Sequence, residues 1–101
     1  MFGLDDKTTE EMRTVLKRYA SIEIAKIFGS RALGTYRPNS DIDLALWGTL
    51  DSTLVNHVQS DLNEISTPYK FDVVGYGLVE HQKLKEHIDR FGKIFYQKSS
   101  S

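Results

Sequence analysis

Apolar residues recur along the chain in two different periods, and the changes between them predict alternating helices and strands. The first apolar stripe has helical spacing, at Met12, Val15, Leu16 and Tyr19. Residues 8–11 fit a capping box, in which a threonine and a glutamate bond to each other's backbone amides, so we predict that the helix begins there. This helix is expected to be scaffold.

Short apolar runs bounded by turn residues predict strands, and the segments between them have helical spacing. We expect the last helix to end at Gly92 in a left-handed conformation. The alternation predicts an α+β fold, a small mixed β-sheet with helices packed on one face. The predicted strands cover 22–28, 41–47, 70–76 and 94–96, and the later helices start near 31, 51 and 79.

Composition and charge limit the classes of function. The 101 residues predict one domain over 1–101, with a disordered tail from about 97. The 13 basic and 14 acidic residues leave a formal charge of −1, so charge does not imply nucleic-acid binding. The absence of cysteine excludes disulfides and thiol catalysis. No segment resembles a signal peptide or a membrane span, which predicts a cytoplasmic protein without membrane partners.

Two aspartates at the head of the second strand are the strongest chemical signal. Aspartate is depleted in strands, yet Asp41 and Asp43 share one face of a run whose other face is apolar. Carboxylates about 6.6 Å apart along a strand repel each other unless a cation lies between them. Mg²⁺ takes such oxygen ligands together with substrate phosphates. The pair therefore predicts a metal site, although an exposed strand edge or a cap would also explain an isolated Asp-x-Asp.

The turn Gly29-Ser30, between the first strand and the short helix, is a candidate phosphate site. Glycine lets the backbone approach a ligand closely, and the amides at a helix start favour phosphate. Arg31 follows at once, and its guanidinium suits phosphate oxygens, although a surface salt bridge would also explain it. Arg37 is a weaker candidate of the same kind, and Lys26 is expected to be simply exposed.

The remaining titratable candidates are weaker. Asp72 can face the two aspartates if its strand pairs with 41–47, but a lone aspartate near a strand end is as readily structural as functional. The histidines form no ligand-like cluster in the sequence, and we interpret all three as surface residues: His57, His81 and His87. No nucleophile turn of the G-x-S-x-G type is present, which argues against a serine hydrolase.

In combination, Gly29-Ser30, a ten-residue gap, the Asp-x-Asp pair and Asp72 resemble the signature of the DNA polymerase β-like nucleotidyltransferase superfamily. More narrowly, the stretches 29–34 and 40–44 are similar to those of the minimal nucleotidyltransferases, or MNT domains. Such domains are often encoded beside a helical HEPN-domain protein as the antitoxin of a toxin–antitoxin pair. The resemblance extends from about 22 to 96 and implies a polymerase β palm-like fold.

The resemblance also implies a set of site residues. The metal-binding and catalytic carboxylates would be Asp41, Asp43 and Asp72, with Asp72 as general base or as ligand of a second metal ion. The implied cofactor is Mg²⁺, as two ions, with Mn²⁺ as a substitute. Many relatives carry a basic residue where Leu33 stands, which leaves the nearby arginines to supply positive charge. The implied nucleotide- and phosphate-binding residues are Gly29, Ser30, Arg31 and Ser40.

The implied function is transfer of a nucleoside monophosphate, AMP from ATP, onto an acceptor. The resemblance suggests a tyrosine of a partner HEPN toxin as that acceptor, and an antitoxin that inactivates the toxin by modifying it. The alternative is a non-catalytic antitoxin that binds nucleotide and metal and neutralises its partner by complex formation. A metal-dependent nuclease or phosphohydrolase leaves the Gly-Ser turn unexplained, and a purely structural domain ranks last. Acceptor recognition is expected from a partner or from a homo-oligomer.

Overall fold

Four α-helices alternate with four strands in the computed structural model, which describes residues 2–37 and 40–98. The alternation is the one that the hydrophobic pattern predicts. A short 3₁₀ turn, Tyr76–Leu78, follows the third strand. The elements are α1 (Asp6–Lys17), β1 (Ile22–Phe28), α2 (Ser30–Leu33), β2 (Ile42–Gly48), α3 (Ser52–Asn63), β3 (Phe71–Gly75), α4 (Gln82–Phe91) and β4 (Lys93–Gln97).

The four strands form one mixed sheet in the order β3-β2-β1-β4. Strand β1 pairs antiparallel with β2 and β4, whereas β2 and β3 are parallel and joined through α3. In this register, Asp43 lies opposite Phe28 of β1 and opposite Asp72 of β3. Asp72 can face the two aspartates only if its strand pairs with β2, and this pairing is present.

The two faces of the sheet are covered by different helices. Residues 42, 44 and 46 of β2 point into the main core, which contains the buried apolar residues of α1 and α3. On the opposite face, Ile88 of α4 packs in a smaller cluster with Phe28 and Ala45. The predicted small mixed sheet is confirmed, and α1 and α3 share one face as expected. Helix α4 lies on the other face, to which Asp43 belongs by strand alternation.

Two predicted helix ends are wrong. Helix α1 is capped by Asp5, whose side chain accepts the N–H of Thr8 at 3.3 Å, so the capping box at 8–11 does not form. Thr8 itself is buried within the first turn. Gly92 has φ −62° and ψ 138°, which is extended, because the chain continues directly into β4. By contrast, Asp51 caps α3 as predicted.

The predicted disordered tail begins too early. Gln97 belongs to β4, and Lys98 donates its backbone N–H to Glu23 and its ammonium to the carbonyl of Ala20, both bonds with the distances of ordinary hydrogen bonds. Residues 99–101, the remainder of the predicted tail, lie outside the described residues. Over 2–37 and 40–98, no helix combines the length and the apolar character needed to cross a bilayer.

Side-chain amides of α3 bond to the backbone of β3. Gln59 Oε1 accepts the N–H of Val73 at 2.8 Å. Asn63 Oδ1 accepts the N–H of Phe71 at 2.9 Å, and Asn63 Nδ2 donates to the carbonyl of Phe71 at 3.3 Å. These bonds fix β3, and with it Asp72, against the helix that leads into it.

Candidate active site

Two of the three predicted carboxylates, Asp43 and Asp72, occupy paired positions on β2 and β3. Asp43 is half-buried on the face that α4 covers, and Asp72 is exposed at the adjacent position of β3. Phe71 and Val73, on either side of Asp72, are buried in the main core, so Asp72 faces the opposite side, as the alternation predicts. Asp41 precedes the strand by one residue and is exposed, rather than opening the strand as expected.

The charges of Asp72 and Asp41 affect the pKa of the Asp43 carboxyl group. Its pKa is raised to about 6, first by burial and then by the negative charges of Asp72 and Asp41, while His87 acts in the opposite direction. A carboxylate whose proton affinity is raised by neighbouring carboxylates lies in a site in which the negative charge is not neutralised. The site therefore favours a cation or a proton.

The donor set fits a divalent metal in type and charge. Mg²⁺ binds carboxylate oxygens and usually retains substrate phosphates among its ligands, so a few carboxylates suffice. Within the described ranges, 2–37 and 40–98, no three or more Asp, Glu or His side chains are already arranged as a metal site. Asp41 and Asp43 would hold the ion, with Asp72 as a further ligand or as a base. Binding would relieve the part of the raised pKa of Asp43 that, after burial, comes from the negative charges of Asp72 and Asp41.

Gly29 brings the backbone against the Asp43 carboxylate. Its φ of 76° and ψ of −153° belong to a region open essentially to glycine, and α2 starts at the next residue, Ser30. A Cβ on Gly29 would lie 2.4 Å from Asp43 Oδ2. The turn that the sequence assigns to phosphate and the strand that it assigns to metal are thus in direct contact.

We expect Gly29→Ala to abolish any activity that depends on Asp43 while leaving the protein folded. The new methyl group would push the Asp43 carboxylate aside, and the positive φ would cost about 1–2 kcal/mol of stability. Gly34→Ala is the matched control, since Gly34 has φ 79° but a Cβ added there would meet no atom within 4 Å. Both variants should lose stability in urea unfolding, Gly29→Ala at least as much as Gly34→Ala, and only Gly29→Ala should lose nucleotide transfer. Equal transfer by the two would contradict the contact.

Arg31 occupies an environment unlike the predicted phosphate contact. Its side chain is only 2% exposed, and Nε and Nη2 donate to the carbonyl of Ser40 at 3.3 and 3.0 Å. Nη1 donates to the carbonyl of Phe2 at 2.9 Å, and the rings of Tyr36 and Tyr69 lie 4.9 and 4.8 Å from the guanidinium carbon. Arg31 therefore joins the N-terminal segment, α2 and the residue before Asp41, and the geometry does not support a phosphate contact.

Of the other residues near the predicted phosphate site, Ser40 has a structural partner for its side chain. Ser40 Oγ accepts the N–H of Arg37 at 2.7 Å, which closes the turn before β2. Arg37 is exposed, and residues 38–39 between them are not described. Lys26 is half-buried rather than simply exposed, with its ammonium 5.0 Å from the Trp47 ring centroid. In α2, Leu33 is 46% exposed.

His87 is the site residue that the sequence analysis missed. The backbone N–H of Gly29 donates to His87 Nε2 at 3.2 Å, so the surface interpretation is wrong for this histidine. Its ring also contacts the rings of Phe28 and Phe91, with centroids 6.1 and 5.2 Å away. A signal was available in the helical period, which places His87 on the same face of α4 as Leu84 and Ile88. His57 and His81 are exposed, as expected.

The sequence profile of the family described as polymerase beta, nucleotidyltransferase matches residues 10–101. The chain belongs to this family. Comparison with curated proteins found no relative of significant similarity. The profile match agrees with the fold, since the Gly-Ser turn, β2 and β3 all lie inside the matched range.

Solved structures share this nucleotidyltransferase fold. A chain of a toxin–antitoxin structure with AMP-PNP is 22% identical, with a TM-score of 0.74 over 89% of this chain and 73% of its own. A chain in the structure of the tri-AMPylated Shewanella oneidensis HEPN toxin in complex with MNT antitoxin is 16% identical, with a TM-score of 0.70 over 94% and 74%. A putative nucleotidyltransferase from Sulfolobus solfataricus is 24% identical, with a TM-score of 0.58 over 91% and 79%. At these identities the likeness establishes the fold.

The stability of this nucleotidyltransferase domain should depend on pH through Asp43. Its native pKa of about 6 lies above the ordinary aspartate value of 3.8, so the native state binds this proton more tightly than the unfolded state. Stability is therefore lost as pH rises from about 4 to 6, by on the order of 1–2 kcal/mol after discounting for the solvent exposure of Asp43. Urea unfolding at pH 4.5 to 7.5 should show this loss in the wild type relative to Asp43→Asn, and parallel curves would contradict it.

Proposed function

We propose that this chain is a Mg²⁺-dependent nucleotidyltransferase that moves AMP from ATP onto a tyrosine of a HEPN-domain partner and thereby acts as an antitoxin. The observation that carries the proposal is the contact of the Gly29 turn with the Asp43 carboxylate, beside Asp72 in register. This contact juxtaposes a backbone turn suited to phosphate with carboxylates suited to metal. The toxin–antitoxin neighbours, one with AMP-PNP and one with a tri-AMPylated HEPN toxin, support the choice of nucleotide and acceptor.

The residues have separate roles in this proposal. Mg²⁺, when bound, would offset the negative charge of the triphosphate and of the carboxylates. Asp41 and Asp43 hold the ion, and the backbone at Gly29 and Ser30 orients the phosphates. Asp72 is exposed at the neighbouring strand position, where it can take the proton of the attacking tyrosine hydroxyl. The tyrosine oxygen forms a bond to the α-phosphorus, the bond from that phosphorus to the bridging oxygen breaks, and pyrophosphate leaves.

Intact mass spectrometry tests the proposal. The protein is incubated with Mg²⁺ and ATP, alone and with the HEPN-domain protein encoded beside it, and the partner should gain one or more AMP units. The gain should disappear with Asp43→Asn and when the modified tyrosine of the partner is replaced by phenylalanine. An unmodified partner in the presence of folded wild-type protein would overturn the proposed transfer.

A non-catalytic antitoxin is the second candidate, and one observation favours it. Arg31 is committed to backbone carbonyls, and Leu33 is apolar, so α2 offers no arginine or lysine to the phosphates. If the partner remains unmodified but co-elutes with this chain in gel filtration, neutralisation by complex formation replaces transfer as the function. The complex should then persist without ATP and with Asp43→Asn.

A further inference from the structure

Arg31, which the sequence predicts as a phosphate contact, bonds to backbone carbonyls instead. Arg31 donates to Ser40 and to Phe2 from a side chain that is 2% exposed. Releasing it for a ligand would leave the carbonyls that it serves without their donor, at a cost of about 1–3 kcal/mol for each buried group. A side chain on another element must then supply a hydrogen bond beside Gly29.

His87, on α4, is positioned to supply a hydrogen bond beside Gly29. Helix α4 covers the face of the sheet that carries Asp43, and His87 Nε2 lies 3.2 Å from the Gly29 nitrogen. The His87 ring is packed between Phe28 and Phe91, which limits the positions that it can adopt. The histidine therefore reaches the glycine turn from α4.

The observed hydrogen bond joins two groups that both suit a phosphate oxygen. The Gly29 N–H is a donor and Nε2 accepts it, and an imidazole that accepts through Nε2 carries its ring proton on Nδ1. A neutral imidazole can carry its proton on either nitrogen, and the tautomer follows the hydrogen bonds available. Without a ligand, the amide and the imidazole satisfy each other.

We propose that His87 is a nucleotide-binding residue that donates a hydrogen bond from Nε2 to a phosphate of the bound nucleoside triphosphate. When the phosphate enters, the Gly29 N–H donates to it in place of Nε2, and the ring proton moves from Nδ1 to Nε2 through solvent. No covalent bond other than these N–H bonds changes. The inference rests on the nucleotide binding of the proposed function, but not on AMP transfer. A purely structural histidine would keep Nε2 as an acceptor whether or not nucleotide is bound.

Two variants separate the hydrogen bond from the packing. His87→Phe keeps a ring between Phe28 and Phe91 but has no donor, whereas His87→Gln keeps an amide donor at similar reach. Binding of Mg²⁺ with a non-hydrolysable ATP analogue is measured by calorimetry, with His57→Phe, on the exposed side of α3, as the control. We expect His87→Phe to weaken binding about 10- to 150-fold, the value of one hydrogen bond to a charged group, and the other two to stay within about 3-fold.

Nitrogen-15 NMR of the histidine rings is the second measurement, and it needs no variant. On addition of the analogue, His87 Nε2 should change from the shift of an unprotonated to that of a protonated ring nitrogen, and the Gly29 amide should shift with it. If Nε2 stays unprotonated, or if folded His87→Phe binds as tightly as the wild type, the inference is overturned and the proposed function stands. If the wild type binds nucleotide through His87 but transfers no AMP, the transferase is overturned and the inference stands.

Discussion

Asp43→Asn is expected to lower AMP transfer by at least about 1,000-fold while the free energy of unfolding at pH 7 stays unchanged or rises. The amide keeps the shape of the side chain but loses the charge that binds the metal, and electrostatic stabilisation of this kind is commonly the largest part of catalysis. Stability should not fall, because the wild-type carboxylate is half-buried and repelled by Asp72 and Asp41, which raises its pKa to about 6. Transfer is followed by intact mass and stability by urea unfolding.

Asp6→Asn provides the matched control for Asp43→Asn. Asp6 is an exposed carboxylate in the first turn of α1, outside the candidate site, and its replacement should leave transfer at the wild-type rate. Mg²⁺ in excess should raise the melting temperature of the wild type and of Asp6→Asn, because a ligand that binds only the native state stabilises it. It should have little effect on Asp43→Asn. Transfer by Asp43→Asn at the rate of the control would contradict the proposed mechanism.

Arg31→Met is expected to reduce the free energy of unfolding by about 3 kcal/mol. The change removes a buried guanidinium that donates to Ser40 and Phe2, and hydrogen bonds from charged donors contribute about 1.5–3 kcal/mol each. It also removes the cation from between Tyr36 and Tyr69, where each contact adds about 0.5–1 kcal/mol or more. The methionine side chain fills part of the space left by the guanidinium and so offsets part of this loss. The expected net decrease in the free energy of unfolding is therefore close to the contribution of one or two of these hydrogen bonds.

Arg37→Met is the control for Arg31→Met, since Arg37 is exposed and it is the backbone N–H of Arg37 that donates to Ser40. It should change stability by no more than about 0.5 kcal/mol, as is usual for surface substitutions. Arg31→Lys should lie in between, because lysine keeps the charge but not the planar fork. The opposite result, unchanged stability with weaker nucleotide binding, would return Arg31 to the phosphate contact that the sequence suggested.

The strand period located the carboxylates correctly, because facing on a strand is a local property. Asp72 faces away from the core since Phe71 and Val73 face into it, and this alternation can be read from five residues. The pairing of β2 with β3 is not local, but two buried strands joined by a single helix favour it. The start of β2 at Ile42 rather than at Asp41 is the one-residue uncertainty usual at strand ends.

Arg31 and His87 could not be assigned from the sequence because their partners are distant in it. The same Gly-Ser-Arg stretch would suit a phosphate contact if Arg31 were exposed, and its burial depends on Phe2 and on Tyr69, 29 and 38 residues away. His87 lies 58 residues from Gly29, and only the position of α4 on the second face brings them together. A resemblance that stops at the motif does not reveal which distant residues surround it.

The hydrogen bonds between the side-chain amides of α3 and the backbone of β3 limit how an acceptor can approach. Strand β3 lies at an edge of the sheet, beside the carboxylates, and an open edge there could recruit an extended segment of another protein by strand addition. Gln59 and Asn63 already occupy the outward N–H groups of Val73 and Phe71. An incoming chain therefore finds these two N–H groups beside Asp72 already bonded, and under the proposed function the acceptor would be recognised through its side chains and its folded shape rather than by strand addition.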